Sequence, residues 1–327
     1  METAVNTVLG PISSGELGVT LIHEHLKVAW LGWAMDPFNT YDVKSALKSA
    51  IDNMKEVKAL GVSTVVDPLP MGLGRDPDFH AEVAQASGVN IIISTGLDHE
   101  ARAMPPYFRV RTTDEIAKVF IHDLQEGIGH TGIKAGIIKG ATGEGLITKN
   151  EGRALRAAAR ASLATGVPIV THTTRGTLGV EQAQIFLNEG VAPRKVMIGH
   201  CCFSTDTPYL VSIMDLGCSI GFDQIGLRHA QSDEFRLATL TGLLALGYAD
   251  RILLSQDHTC CIVGAAYDRL TEQVELMKEN RHSHIFRKFL PRLSQAGVDD
   301  VTIQTMMVDN PRRLFENSEK VEGRSHE

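Results

Sequence analysis

Val19-Thr20-Leu21-Ile22-His23-Glu24-His25 sets the reading of the whole chain. Its first four residues make a short, largely apolar run of the kind that forms a strand buried on both faces. An open nucleotide-binding sheet would place a Gly-x-Gly-x-x-Gly turn after such a strand. Here the run ends in two imidazoles and a carboxyl group instead. Gly72-Leu73-Gly74 is a fragment of a glycine-rich loop, but the pattern is incomplete.

Seven more runs rich in Val, Ile and Leu follow, at 62–66, 89–93, 135–138, 167–170, 195–198, 218–222 and 251–254. Amphipathic stretches with helical spacing separate them, among them 43–60, 114–127, 150–165, 179–189 and 235–247. Leu60-Gly61-Val62, Thr165-Gly166-Val167 and Leu216-Gly217-Cys218 each put a glycine between a helical stretch and the next strand. Glycine suits the left-handed turn that ends a helix. Eight strand–helix units in succession predict the α/β class, a single (β/α)8 barrel of the TIM type with its site at the C-terminal ends of the strands. The expected domain covers residues 1–315, followed by a polar, disordered tail at 316–327.

Composition agrees with that size. The chain has 327 residues, 43% of them hydrophobic, enough for a large core in one barrel. The net charge of -7 is spread along the chain, and no basic patch carries interleaved aromatics, which argues against nucleic acid as a partner. No uncharged apolar stretch of ~18 residues or more suggests a membrane span. The N-terminus lacks a basic start before an apolar core, so a cytoplasmic protein is expected. Cys201, Cys202, Cys218, Cys260 and Cys261 are odd in number and include two adjacent pairs. They make a poor disulfide framework and read as reduced cytosolic thiols. No Cys-x-x-Cys pair offers a thiolate zinc site.

The chemistry lies at the strand ends. Residues two apart along a strand share a face, so His23 and His25 project together and Glu24 points away. Taken alone, the pair fits a borderline metal such as zinc or two ordinary polar histidines. The later runs narrow the choice, because they end in Lys139, His172, His200, Asp223 and Asp257. Lys139 still admits two readings. It could form a salt bridge with a neighbouring acid. Desolvated, its amine would have a lowered pKa and could add carbon dioxide, giving a carbamate able to bridge two metals.

These residues resemble the phosphotriesterase family of the amidohydrolase superfamily. The resemblance runs from Val5-Asn6-Thr7-Val8-Leu9-Gly10-Pro11-Ile12 to Asp309-Asn310-Pro311-Arg312-Arg313-Leu314-Phe315. Its most specific stretches are Gly18-Val19-Thr20-Leu21-Ile22-His23-Glu24-His25, Ala135-Gly136-Ile137-Ile138-Lys139, Thr171-His172-Thr173 and Ile198-Gly199-His200. It implies two divalent ions, zinc first, with cobalt, iron or manganese as alternatives. His23, His25 and Asp257 would hold the buried ion, and His172 and His200 the more exposed one. Lys139, as N6-carboxylysine, would bridge both. Within the family the chain is similar to the phosphotriesterase-like lactonases, through His258-Thr259-Cys260-Cys261-Ile262 after Asp257 and through Met71-Gly72-Leu73-Gly74-Arg75-Asp76. Two positions depart from that branch. Asp98 and His99 follow Leu97 where a tyrosine is usual, and Gln224 follows Asp223 where an arginine is usual.

The resemblance implies a hydrolase, expected as a homodimer, that opens a lactone ring, most readily that of an N-acyl-homoserine lactone in the manner of a quorum-quenching enzyme. A metal-bridging hydroxide would attack, and Asp257 would shuttle the proton. Weak organophosphate hydrolysis is the expected side activity. Asp223 and Arg236 are expected as outer support around Asp257. Trp30, Trp33, Asp98, Gln224, Ile225, Leu227, Cys260 and Ile262 are expected around the substrate, with Asp98 making the pocket more polar. Arg228 and His229 are expected in a lid, and His80, His122, His130, His282 and His284 on the surface. A phosphotriesterase, or a carboxyl-ester or sugar-lactone hydrolase, would use the same centre. A barrel kept only for binding would be expected to have lost ligand positions, and all six remain.

Overall fold

The computed structural model describes residues 2–39, 41–228, 231–263 and 281–317; His229 and most of the expected tail lie outside them. A hairpin of β1 (Ala4–Thr7) and β2 (Gly10–Ser13) precedes the barrel. All eight apolar runs then form strands. β3 (Val19–Leu21) is followed, after a bend, by the short β4 (His25–Ala29). Next come β5 (Val62–Asp67), β6 (Asn90–Gly96), β7 (Ile137–Thr142) and β8 (Ile169–Thr173). β9 (Val196–Ile198), β10 (Ser219–Phe222) and β11 (Ile252–Leu254) follow, and β12 (Thr259–Val263) pairs in parallel with β4. The eight-stranded sheet is parallel and ordered β11-β10-β9-β8-β7-β6-β5-β3. Together with the helices between its strands it forms the expected (β/α)8 barrel.

Between the strands lie α1 (Val43–Ala59), α2 (Pro77–Ser87), the single turn α3 (Pro106–Arg109), α4 (Thr113–Gln125), α5 (Lys149–Thr165), α6 (Gly179–Asn188), α7 (Thr207–Asp215) and α8 (Asp233–Ala245). Local chemistry places their ends. Thr112 with Glu115, and Thr148 with Glu151, form reciprocal caps at the starts of α4 and α5. Such caps satisfy amides that have no partner in the first turn. Gly166 ends α5 at φ +74°, a conformation open to glycine without steric cost. No helix among the described residues is long and apolar enough to cross a membrane.

The alternation of strand side chains builds two cores. Ile91, Ile93, Ile138, Ile169, Ile198, Ile220, Phe222 and Leu254 face the helices. Ile22, Val66, Ile92, Ile137, Val170, Met197 and Leu253 fill the barrel, with Val5, Leu17 and Phe315 in the same cluster. A period of two carries the inward face from Ile137 to Lys139, and from Val170 to His172. The ionisable groups therefore stand above the apolar plug, at the C-terminal mouth. The five cysteines are free thiols, three buried and two half-buried.

Candidate metal centre

The six residues expected as ligands meet at this mouth. His23 Nε2 lies 3.8 Å from Asp257 Oδ1, and His25 Nε2 lies 3.2 Å from the same oxygen. His200 Nε2 lies 3.8 Å from Asp257 Oδ2, and Lys139 Nζ lies 3.2 Å from His23 Nε2. The His172 ring is 4.6 Å from that of His200, which is 4.7 Å from that of His23.

Strand parity does not account for His200, His23 or His25. Met197 faces the barrel interior, so Gly199 should as well, and His200 should face away. A left-handed backbone at His200, φ +58°, turns its side chain into the site. Asp257 is also left-handed, at φ +52°. At the first strand, parity from Ile22 would send Glu24 inward. The bend through Ile22 and His23 resets it, and the two histidine rings meet edge-on at 5.3 Å. His23 is thus placed by a bend, where an unbroken strand was expected.

A ring of carboxylates fixes the imidazoles from behind. Asp223 Oδ2 lies 2.8 Å from His23 Nδ1, and its Oδ1 lies 3.1 Å from His200 Nδ1 and 2.7 Å from the His200 amide. Asp67 Oδ1 lies 2.8 Å from His25 Nδ1, and its Oδ2 lies 2.8 Å from His80 Nε2. A carboxylate only accepts, so each Nδ1 carries the hydrogen, and each Nε2 is left to face the centre. Gly199 and Gly221 keep the space behind Asp223 open; a Cβ at either would stand within 3.1 Å of its Oδ2.

Burial and neighbouring charge set the protonation. Burial, with the Lys139 charge, lowers His23 to about 3. Burial, then Arg102, holds His172 well below its usual value. Burial works to lower His25, but Asp67 and Asp257, one on each ring nitrogen, raise it to about 9. Burial would raise Asp257, yet His200, His23 and His25 hold it well below the carboxylate range. Asp223 is held low against burial by His200 and His23 in the same way. Burial lowers Lys139 to about 8. Among the described residues, Lys139 makes no ion pair within 4.0 Å, which removes support from the salt-bridge reading.

The donor set fits a cation. Ligand atoms of His23, His200 and Asp257 all lie within 4.8 Å of one another. Neutral imidazole nitrogens around a carboxylate oxygen are the ligands a borderline divalent ion takes. The proton that His25 holds against Asp257 marks a place where a positive charge belongs.

Two surrounding residues, Asp67 and Glu24, were not singled out as functional groups from the sequence. Asp67 ends β5 as Asp223 follows β10, so the strand-end signal was available. Glu24, buried between the two histidines, is pushed up to about 8 by burial, against hydrogen bonds from Ser255, His258 and Gln256. His80 and His282 are 1% and 0% exposed, which corrects the expectation of surface histidines. His80 serves Asp67, and His282 Nε2 lies 3.6 Å from Glu24. His122 and His130 are exposed, as expected, and His284 pairs with Asp233.

The residues expected around the substrate are distributed unevenly. Gln224 Nε2 donates to Asp257 Oδ2 at 3.0 Å, so it touches that carboxylate directly. Asp98 is buried and forked onto Arg102, at 2.5 and 2.8 Å. Asp98 was expected to make the pocket more polar; its charge is instead taken up in an ion pair. Arg236, expected beside Asp257, instead bonds Asp233 and the Leu227 carbonyl and so ties down the loop after β10. Ile225 and Leu227 are buried, whereas Trp30, Trp33, Cys260 and Ile262 are half-buried. Arg228 is exposed.

Comparison with known proteins agrees with this geometry. Residues 3–315 match the model of the Phosphotriesterase family. A phosphotriesterase homology protein of Mycobacterium tuberculosis is 39% identical over 323 residues, covering 95% of this chain and 97% of that one. An aryldialkylphosphatase of Saccharolobus solfataricus is 37% identical over 305 residues, covering 93% and 96%. A solved structure of organophosphate hydrolysis activity engineered from a weak promiscuous lactonase template superimposes with a TM-score of 0.92 at 37% identity, covering 96% of this chain and all of that one. The match over almost the full length, together with the gathered ligands, makes this chain a member of the phosphotriesterase family.

Proposed function

We propose that this protein is a hydrolase that opens lactone rings, N-acyl-homoserine lactones foremost, with two divalent ions at the barrel mouth. The observation that carries the proposal is the convergence of His23, His25, His172, His200, Lys139 and Asp257, with three imidazoles pinned from behind by carboxylates. His23, His25 and Asp257 would hold one ion, and His172 and His200 the other. Lys139, in no ion pair among the described residues and lowered to about 8, would carry the bridging carboxyl group. The ions, zinc first, would make water more acidic and polarise the substrate carbonyl.

The chain's own groups do the rest. Water adds to the lactone carbonyl carbon, and Asp257 Oδ2 takes its proton. The ring C–O bond then breaks, and Asp257 returns that proton to the departing ring oxygen. Gln224 Nε2 keeps Oδ2 turned to the substrate side. Trp30, Trp33, Cys260 and Ile262 offer half-buried apolar surface to an acyl chain. The likeness to a structure built on a lactonase template supports the lactone reading. The aryldialkylphosphatase relative supports organophosphates as a secondary substrate class. A cytoplasmic homodimer completes the proposal; sedimentation tests the dimer.

A panel of an acyl-homoserine lactone, a sugar lactone and paraoxon, followed by proton release with and without a chelator, tests it. The lactones should turn over fastest, and the chelator should abolish every activity. Chelator-resistant turnover by metal-free protein would refute the centre. Paraoxon as the fastest substrate would overturn the lactone assignment alone.

A further inference from the structure

The sheet order runs from β11 round to β3 and leaves the seam between those two strands without a ladder of its own. The seam is crossed just beyond the strand ends. The Asp257 amide donates to the His23 carbonyl at 2.9 Å, and the His25 amide donates to the His258 carbonyl at 2.8 Å. Between them lies the carboxyl group of Glu24, wholly buried. Its Oε1 accepts from Ser255 Oγ at 2.7 Å and from the Gln256 amide at 2.9 Å. Its Oε2 accepts from the His258 amide at 3.0 Å. Ser255 Oγ in turn accepts from the His23 amide at 3.0 Å.

Glu24 therefore grips the backbone on both sides of Asp257. Asp257 stands at φ +52°, where a residue with a side chain is strained and persists only if its surroundings hold it. The Ser255 hydroxyl and the Gln256 and His258 amides converge on this one carboxyl group, a concave donor array of the kind that binds anions; here the acceptor belongs to the chain itself.

We propose that Glu24 is a positioning residue for the metal centre: its carboxyl group locks residues 255–258 into the left-handed turn that aims Asp257 at His23, His25 and His200, and ties that turn to the two histidines flanking Glu24. The inference rests on the metal-centre reading above. The role needs a carboxyl group of this length. Aspartate is one methylene too short to reach the three donors. Glutamine puts an NH2 group against an amide or hydroxyl donor, so one bond becomes a donor–donor clash. A clasp that served stability alone would leave the ligand geometry untouched, which separates the two roles.

The test uses the full chain, purified metal-free and titrated with Co2+. Its readouts are stoichiometry, affinity by chelator competition, the visible spectrum of the bound Co2+, and the thermal midpoint of the metal-free protein. Glu24→Gln and Glu24→Asp should lose roughly 10- to 100-fold in affinity, the range for groups that orient ligands from behind, with an altered Co2+ spectrum. Ser255→Ala removes one of the three donors and should move both readouts the same way by a smaller factor, which covers the case where the glutamate variants fail to fold. Wild-type affinity and spectrum in any of the three folded variants, whatever the thermal midpoint, would overturn the inference. A wild-type protein that takes up no Co2+ would overturn the metal-centre reading, and this inference with it.

Discussion

Replacing Asp223 by asparagine should weaken metal binding and lower the stability of the fold by comparable free energies. The carboxylate is fully buried and accepts from His23 Nδ1, His200 Nδ1 and the His200 amide, at 2.8, 3.1 and 2.7 Å. An asparagine has one oxygen and one NH2. If the oxygen stays on His200, the NH2 faces His23 Nδ1. His23 must then move its hydrogen to Nε2, the atom that should hold the ion, or leave two donors in opposition. A hydrogen bond to a charged group contributes about 1.5–3 kcal/mol. Losing one charge-assisted bond and the tautomer it enforces corresponds to about 10- to 100-fold in affinity, at about 1.4 kcal/mol per factor of ten. The assay is chelator competition for Co2+ or Zn2+, read beside urea unfolding of the metal-free protein. The expected result is that loss in affinity, with the unfolding free energy lowered by about 1–3 kcal/mol. Affinity within twofold of wild type would show that Asp223 does not set the tautomers, and the argument from carboxylates behind the imidazoles would fall.

Lys139→Ala should abolish lactone turnover, and short carboxylates added with metal should restore part of it by supplying the missing bridge; full activity of Lys139→Ala in bicarbonate-free buffer would exclude a bridging role. Lys195 lies away from the site, with Nζ on the Phe315 carbonyl at 2.9 Å, and burial lowers it from 10.5 to about 8. Between those two pH values the unfolded chain binds the extra proton, so this residue's contribution to stability rises with pH. The difference in unfolding free energy between wild type and Lys195→Met should therefore shift in favour of wild type from pH 8 to 10.5; a flat difference across that range would refute the assignment.

Much of this protein follows from its sequence alone. Apolar runs too short for helices, separated by amphipathic stretches closed by glycine, determine a parallel sheet wrapped by helices, and eight of them in order determine the barrel. A strand period of two also carries Ile137 to Lys139 and Val170 to His172, so those ligands could be read from the alternation of the plug beneath them. His200 could be named, because it follows a strand, but not aimed: parity from Met197 turns it away, and a left-handed backbone, φ +58°, brings it into the site. Asp257 keeps the parity of Leu253, but its own left-handed φ of +52° is encoded by no periodicity. That conformation is held by partners far away in sequence, Asp223 for His200 and Glu24 for the turn around Asp257. Asp98 and Arg102 are only four residues apart, and Arg236 only three from Asp233, yet these pairs form in loops and at a helix start where no strand or helix period dictates which groups meet; His80 is likewise buried behind Asp67. Local pattern reports which face a residue takes, and packing decides which charge meets which. The sequence by itself therefore determined the barrel and the strand-end groups that are candidate ligands, while the tertiary structure decided how each of them is oriented and held.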